Sequence, residues 1–342
     1  VATFDEARSA FVLEQGVYGL ALNDTPCGDF TLTQERVLEQ VEPIGNSKHT
    51  AYSEAFSSKV NSLLKTISDQ DKIKLVSGGG YSIRCYNNVM GAAGRTCTKL
   101  LKKGIPNIVM ADGPAGLNVT QSVAIMKDGT PRYPDGLPAD WKWGWLKNFE
   151  RLVKGKPGKG RPVYRYMTAW PSETILAQSW DTELLEEVGR AVGKEMLEIG
   201  VSVWLAPGLN IHRNPLCGRN FEYYSEDPII SGKMAAAVTR GVQNCGGVGV
   251  SVKHFCCNNQ EDNRVGVSAN VSQRALREVY LRAFRIAVTE GKPWTVMSSY
   301  NRVNGHYVCN SFDLCTRVLR QEWGFRGLVM SDWNATEQCS YS

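Results

Sequence analysis

The chain has 342 residues, of which 42% are hydrophobic and 21% charged, enough to bury one large core or two smaller ones. Its 39 basic and 34 acidic residues give a formal charge of +5, which is too dilute to favour nucleic-acid binding. No apolar stretch reaches the roughly 20 residues of a membrane helix, and the first residues lack the layout of a signal peptide. We therefore expect a globular protein with neither a nucleic-acid nor a membrane partner.

The ten cysteines are scattered without Cys-x-x-Cys spacing, and the four histidines form no zinc-binding pattern with them or with each other. We therefore expect neither a metal nor another cofactor. Neighbours such as Cys256 and Cys257, which follow an apolar run, are typical of buried thiols rather than of a disulfide framework. This favours a reducing, cytoplasmic compartment.

Residues 1–50 differ in pattern from the rest of the chain. Short alternating strands are predicted at 16–22 and 28–33, separated by Asn23-Asp24-Thr25-Pro26. This pattern indicates the end of a β-rich module that leads into a linker.

From about residue 59, long amphipathic segments alternate with short apolar runs that end in polar residues. The runs predict strands at 108–112, 201–206, 248–254, 295–300 and 327–332, with a possible first strand at 74–76. Helical spacing is clearest from Leu184 to Ile199 and from Leu276 to Val288, where Ser272 is a candidate N-cap and Gly291 a stop.

Alternating strands and helices predict an α/β fold with a parallel sheet, either doubly wound or closed as a (β/α)8 TIM-like barrel. Polar residues at the end of nearly every strand favour the barrel, whose sites form at the carboxyl ends of its strands. Residues 126–166 interrupt the alternation with basic and aromatic residues, including Trp141, Trp143 and Trp145. We interpret them as a surface insertion, with a flap over a sugar site as the alternative.

The polar residues that end the strands form a chemically coherent set. In chain order they are Asp112, Arg213, Arg219, Lys253, His254, Tyr300 and Asp332. A sugar is neutral and covered in hydroxyl groups, so its site needs carboxylates that accept, cationic groups that donate and an aromatic surface. The set therefore predicts a carbohydrate site.

Asp332 is the candidate nucleophile because it ends a buried strand. In a retaining glycosidase one carboxylate attacks the anomeric carbon while a second group protonates the leaving oxygen. We expect Lys253 and Arg219 to lower the pKa of Asp332 and keep it ionised. Asp112 is then an acceptor for sugar hydroxyls, although a turn acid is an equal alternative.

Five motifs in order resemble the barrel domain of glycoside hydrolase family 3, of the β-glucosidase type. They are GIPNIVMADGP at 104–114, LAPGLNIHR at 205–213, GRNFEYYSEDP at 218–228, VKHF at 252–255 and VMSDW at 329–333. The resemblance covers about residues 59–337.

The resemblance implies that Asp332 is the nucleophile and that the glycone is bound by Asp112, Arg219, Lys253, His254 and Tyr300, with Trp333 beside it. It implies that Glu222 and Glu226 hold Arg219 by ion pairing. It also implies that residues 1–50 are the end of a fibronectin-like module plus a linker, and that residues 51–342 are a barrel that lacks its last βα units. The acid/base Glu is then expected in a separate α/β sandwich domain, with Glu261 or Asp262 as a weaker alternative.

Two departures from the family pattern bear on the site. Asn118 stands where many relatives carry an Arg that contacts the sugar, and the Gly-His-Gly of the N-acetylglucosaminidase branch is absent after Lys253-His254-Phe255. The function expected is therefore that of a retaining exo-acting β-glucosidase. A β-xylosidase, a non-catalytic sugar-binding chain and a phosphorylase stay open, as does a homodimer, while a nucleotide-binding fold ranks last.

Overall fold

A computed structural model of the chain describes residues 2–22, 25–45, 58–78, 89–129, 131–132 and 160–339. The strands are β1 Thr3–Asp5, β2 Ala10–Leu13, β3 Gly16–Leu22, β4 Thr25–Leu32, β5 Arg36–Gln40, β6 Gly94–Arg95, β7 Val109–Ala111, β8 Ser122–Ile125, β9 Pro131–Arg132, β10 Arg161–Tyr164, β11 Val203–Trp204, β12 Gly249–Phe255, β13 Ser268–Ala269, β14 Thr295–Ser298, β15 Arg302–Val303, β16 His306–Tyr307 and β17 Leu328–Ser331. The helices are α1 Ser58–Lys65, α2 Asp69–Ser77, α3 Glu173–Ala177, α4 Thr182–Ile199, α5 Pro228–Gln243, α6 at residues 273–291 and α7 Asp313–Glu322. Helix α6 consists of the consecutive segments Gln273–Ala275, Leu276–Tyr280, Arg282–Ile286 and Ala287–Gly291.

The central sheet has six strands in the order β17-β14-β12-β11-β7-β6. From β7 to β17 neighbouring strands are parallel and follow one another in chain order. All five strongly predicted runs therefore form strands of one parallel sheet, which confirms the α/β class. Among the strands that the structure describes, the order shows none of the reversal that defines a doubly wound sheet.

The expected strand at residues 74–76 is wrong, because these residues lie in α2. Ser68 caps that helix by accepting from the backbone N–H of Asp71, and acidic residues occupy its first turn, where they favour a helix. The sixth strand of the sheet is instead β6, which pairs antiparallel with β7.

The two predicted helices are present. Asp181 caps α4 by accepting from two backbone N–H groups, and the helix buries Leu185, Val192 and Met196. Leu184, which was expected in the same stripe, is 41% exposed. Ser272 caps α6 as predicted, and Gly291 is its last residue.

The N-terminal residues form a β1-β2-β5 sheet and a β3-β4 hairpin. The hairpin confirms the two predicted strands, although β4 begins at Thr25 and includes Pro26. The sheet segment is docked on the helices: Arg277 donates to the Glu42 carbonyl at 2.8 Å, and the N–H of Gly45 donates to Asp313 at 3.0 Å. Within the expected linker, Arg36–Gln40 is a strand and residues 46–50 lie outside the described residues. The domain boundary at residue 50 stays a prediction.

The sheet β10-β8-β9 stands where the insertion at 126–166 begins and ends. Trp141, Trp143 and Trp145, on which the flap alternative depends, lie outside the described residues. In the part of the chain that the structure describes, no helix combines the length and apolarity needed to cross a membrane.

Candidate functional site

The predicted site residues lie at the carboxyl ends of the parallel strands. Asp112 follows β7, Lys253 and His254 end β12, Tyr300 follows β14 and Asp332 follows β17. Adjacent parallel strands place these ends along one edge of the sheet. The bond from the Asp332 N–H to the Ser298 carbonyl, 3.1 Å, extends the pairing of β14 and β17 to the nucleophile candidate.

Lys253 lies between two carboxylates. Its Nζ donates to Oδ1 of Asp112 at 2.8 Å and lies 3.7 Å from Oε2 of Glu222. The Lys253 side chain is 3% exposed, whereas that of Asp112 is 51% exposed. Burial alone would raise the pKa of Asp112, but the charge and hydrogen bond of Lys253 outweigh it and lower that pKa. Lys253 thus keeps Asp112 ionised, as an accessible hydrogen-bond acceptor at the surface of the site.

Arg219 is held by carboxylates at two of its nitrogens. Its Nε donates to Oε1 of Glu222, and its Nη1 lies 3.8 Å from Glu261. The expected pairing with Glu222 is therefore confirmed. The expected pairing with Glu226 is wrong, because among the described carboxylates the second partner is Glu261, while Glu226 is exposed on the following turn.

His254 is buried between Arg219 and Tyr223. Its Nε2 lies 2.8 Å from Nη2 of Arg219, and its Nδ1 lies 3.0 Å from the hydroxyl of Tyr223. Asn210 fixes the adjacent backbone: its side chain accepts from the His254 N–H and donates to the His254 carbonyl. Burial, followed by the charges of Arg219 and Lys253, lowers the pKa of His254 well below its ordinary value.

Asp332 is largely buried, with one carboxylate oxygen engaged and the other turned toward His254. Oδ1 accepts from the N–H of Trp333 at 2.7 Å, and Oδ2 lies 3.7 Å from Nε2 of His254. Because His254 is neutral, this contact is not an ion pair. Burial raises the pKa of Asp332 despite the Trp333 N–H and the charges of Arg219 and Lys253. The expected net lowering is therefore wrong, because desolvation outweighs the two cations.

Tyr300 and Trp333 complete the set on the Asp332 side. The Tyr300 hydroxyl donates to the Trp333 carbonyl at 2.7 Å, and the guanidinium of Arg264 lies 4.7 Å from the Tyr300 ring centre. Burial and the nearby Asp332 charge raise the pKa of the Tyr300 hydroxyl. Trp333 packs against the cluster of Val203, Leu205 and Met297, and its ring lies so close to Gly94 that a Cβ there would be 3.0 Å from it.

Two residues of the predicted region stand apart from this network. Arg213 is exposed and forms no ion pair with the described carboxylates. Asn118, at the position of the missing Arg, donates its backbone N–H to the Asp112 carbonyl at 2.8 Å. It therefore shapes the turn that carries Asp112.

Three residues that matter to the geometry were missed by the sequence analysis: Tyr223, Asn210 and Glu173. Glu173 begins α3, is fully buried and accepts from the N–H of Gly208 with both carboxylate oxygens. Burial and the charge of Glu222 raise the pKa of Glu173 well above its ordinary value, which favours its neutral form. The side chains of Tyr223, Asn210 and Glu173 act through contacts with residues distant in sequence, and no local pattern indicates such contacts.

The arrangement combines an accessible carboxylate, a buried carboxylate, two cationic donors, a neutral imidazole and two aromatic rings. It suits a neutral polyhydroxylated ring placed over Asp332. In the part of the chain that the structure describes, no group of three or more His, Cys, Asp or Glu side chains is arranged to hold a metal ion.

Comparison with known proteins agrees with this chemistry. The sequence profile described as Glycosyl hydrolase family 3 N terminal domain matches residues 156–341. The chain is 42% identical over 233 residues to the exo-alpha-(1->6)-L-arabinopyranosidase of Bifidobacterium breve, covering 68% of this chain and 27% of that protein. It is 43% identical over 232 residues to the thermostable beta-glucosidase B of Acetivibrio thermocellus, covering 68% of this chain and 26% of that protein.

A solved structure is similar as well. The beta-glucosidase 3B of Thermotoga neapolitana in complex with alpha-D-glucose superposes with a TM-score of 0.65 at 46% identity, covering 81% of this chain and 34% of that one. The chain thus spans about a quarter to a third of the length of these proteins.

Proposed function

The chain belongs to glycosyl hydrolase family 3, and on that premise we propose that it is the glycone-binding part of a retaining exo-acting β-glucosidase. The observation that carries the proposal is the buried Asp332 carboxylate. Its Oδ1 is fixed by the Trp333 N–H while Oδ2 faces the site beside His254. A carboxylate held in this way has one oxygen positioned and the other available to form a bond.

In the proposed reaction, Oδ2 of Asp332 attacks the anomeric carbon of a terminal β-glucosyl unit. The bond from that carbon to the leaving oxygen breaks, and the leaving oxygen takes a proton from an acid group. Water, activated by the same group after it has lost its proton, then cleaves the glycosyl ester and regenerates Asp332. Arg219 and Lys253 offset part of the desolvation cost that the ionised nucleophile carries.

Glycone binding is assigned to the residues around the nucleophile. Asp112 is accessible and ionised, so it accepts from sugar hydroxyls, while Lys253 fixes its orientation. Arg219 and His254 lie deeper and are pre-ordered by Glu222 and Tyr223. Tyr300 and Trp333 contribute the aromatic side of the site.

We also propose that the sheet is part of a (β/α)8 barrel and that the acid/base Glu lies on another segment of the enzyme. Two observations support this. The strands from β7 to β17 add in chain order on one side, as they do in a barrel. The chain also spans only about a quarter of its curated relatives, leaving room in them for further βα units and a second domain.

The proposal is tested in the complete enzyme by Asp332→Asn, assayed with an aryl β-glucoside. Turnover should fall by at least roughly 10³-fold, whereas thermal stability should be equal or higher, because the raised pKa means that the buried charge costs stability at neutral pH. Glu226→Gln, an exposed carboxylate near the site, is the matched control and should keep full turnover. Wild-type turnover by Asp332→Asn would refute the assignment.

The choice of glycone is a separate question, since a close relative bears the name of an L-arabinopyranosidase. Glucose, xylose and arabinopyranose differ by a hydroxymethyl group or one configuration, and such differences change specificity by only about 1–3 kcal/mol. Comparing kcat/KM for aryl β-glucoside, β-xyloside and α-L-arabinopyranoside decides between them. We expect the glucoside to be preferred. Failure to cleave any of the three would favour a sugar-binding chain, and acceleration by added phosphate would favour a phosphorylase.

A further inference from the structure

Two cysteines lie in contact near the nucleophile candidate. The Sγ atoms of Cys309 and Cys339 are 3.1 Å apart, and both residues are free thiols in this structure. They are partly buried, and they are separated by 30 positions in the sequence. Two thiols at this distance can form a disulfide with only a small movement of the sulfur atoms.

The pair joins two segments that flank Asp332. Cys309 belongs to the 3₁₀ turn Val308–Asn310, which precedes α7. Cys339 directly follows the 3₁₀ turn Ala335–Gln338, and the N–H of Ala335 donates to the Asp332 carbonyl at 3.0 Å. The Cys309 thiol also contacts the Ala335 carbonyl, at 3.7 Å. The two cysteines thus take part in the contact between the segment after the nucleophile and the turn before α7.

We propose that Cys309 and Cys339 are a reversible disulfide site that fastens the segment following Asp332 to the turn Val308–Asn310. The co-reactant is a low-molecular-weight disulfide such as oxidised glutathione. One protein thiolate attacks it, forms a mixed disulfide and releases one glutathione thiolate. The second protein thiolate then attacks the protein sulfur of that mixed disulfide and releases the other glutathione. Two protein thiols are oxidised and one glutathione disulfide is reduced to two thiols.

The surroundings set the conditions under which this happens. Burial, the Cys339 thiol and the nearby Cys315 raise the pKa of the Cys309 thiol to about 12. Its thiolate is therefore scarce at neutral pH, so the disulfide should form slowly there and faster in mildly alkaline buffer. A reducing compartment keeps both thiols reduced. Oxidising conditions form the disulfide, which holds the segment after Asp332 in one position.

The test uses the complete enzyme incubated with oxidised glutathione at mildly alkaline pH, then alkylated and digested under non-reducing conditions. Tryptic cleavage leaves Cys309 and Cys315 in one peptide, so cleavage before Asp313 is added to separate them. The expected product is a peptide pair joined through Cys309 and Cys339, lighter than the two free peptides by two hydrogen atoms and separated again by dithiothreitol. Cys315→Ser should still form this link, whereas Cys309→Ser and Cys339→Ser should not.

The oxidised wild-type enzyme should also unfold at a higher temperature than the reduced enzyme, because the link constrains the unfolded chain. Cys245→Ser, a substitution of a thiol elsewhere in the fold, should keep this difference, and Cys309→Ser should lose it. Absence of the link in the oxidised wild type, or a disulfide from Cys309 to a different cysteine there, would overturn the proposal. Peptide mapping does not depend on turnover, so this result is separate from the test of Asp332.

Discussion

The Nε2 atom of His254 lies 2.8 Å from Nη2 of Arg219. A guanidinium nitrogen can only donate, so Nε2 of His254 must be the acceptor and its proton must lie on Nδ1. Nδ1 then donates to the hydroxyl of Tyr223, which also accepts from the side-chain amide of Asn258 at 3.2 Å. His254 is therefore a neutral imidazole whose tautomer is fixed by Arg219, and Tyr223 accepts its one ring proton.

We expect Tyr223→Phe to leave the Nδ1 proton of His254 without an acceptor. The cost should be about 1–3 kcal/mol, the penalty for an unsatisfied buried donor. In enzyme labelled with ¹⁵N-histidine, wild-type His254 should show protonated Nδ1 and unprotonated Nε2. Tyr223→Phe should keep this tautomer, because Arg219 still donates to Nε2, but its Nδ1–H signal should shift because the proton has lost its acceptor. Tyr224→Phe, an adjacent buried tyrosine, should keep the wild-type spectrum. A protonated Nε2 in the wild type would contradict this assignment.

The lowered pKa of His254 also predicts a pH dependence of stability. The unfolded chain takes up a proton at the ordinary value of 6.5, whereas the folded protein does so only at lower pH. The contribution of neutral His254 to the stability of the fold is thus complete above pH 6.5 and is lost as the pH falls below that value. Thermal unfolding between pH 8 and pH 5 should show this decline in the wild type and a weaker one in His254→Gln. Equal declines in both proteins would rule out His254 as the cause.

Lys253 should be far more important to stability than a surface lysine. Lys253→Met removes the hydrogen-bonded cation of Asp112 and leaves Glu222 with Arg219 alone. Loss of a hydrogen bond to a charged group costs about 1.5–3 kcal/mol. Lys233→Met removes an exposed pair with Glu290, which is worth below about 1 kcal/mol. Thermal unfolding of the two variants, measured at neutral pH, compares them directly. Equal losses would mean that Lys253 is not the centre of a buried ion-pair network.

Tyr300 should influence the acidic side of the pH–activity profile. Its hydroxyl, which donates to the Trp333 carbonyl, also lies near enough to the Asp332 carboxylate to lower the pKa of Asp332 against the larger effect of burial. Tyr300→Phe should therefore raise the pKa of Asp332, so that activity begins to fall at a higher pH than in the wild type as the solution is made more acidic. Tyr307→Phe, which removes a hydroxyl bonded to Arg302, should leave the profile unchanged. A shift to lower pH in Tyr300→Phe would contradict the assignment.

The strands and their polar ends could be predicted because each depends on a local pattern. An apolar run followed by Asp332 or by Lys253-His254 predicts both a strand and the position where it ends. The mistaken strand at 74–76 shows the limit of this reasoning, because a three-residue apolar run fits a helix equally well. There the capping residue Ser68 was the better signal.

The electrostatics of the site could be predicted only in part, because they depend on burial. The cations near Asp332 were visible from the motifs, but the desolvation that raises its pKa becomes visible only when the side chain is placed. The same holds for Tyr223, which lies 31 positions from His254, and for Glu261, which replaces Glu226 as a partner of Arg219. Contacts of this kind depend on tertiary packing, which a single sequence does not reveal.

The central claim is that Asp332 forms a covalent bond with the glycone, and it can be tested by trapping that bond. The complete enzyme is incubated with 2-fluoro-β-glucosyl fluoride, which forms the glycosyl-enzyme faster than water releases it, and its intact mass and peptides are measured. The account predicts one added 2-fluoroglucosyl group on the peptide that contains Asp332, and none in Asp332→Asn. A sugar adduct on a different carboxylate in the active wild-type enzyme would contradict it.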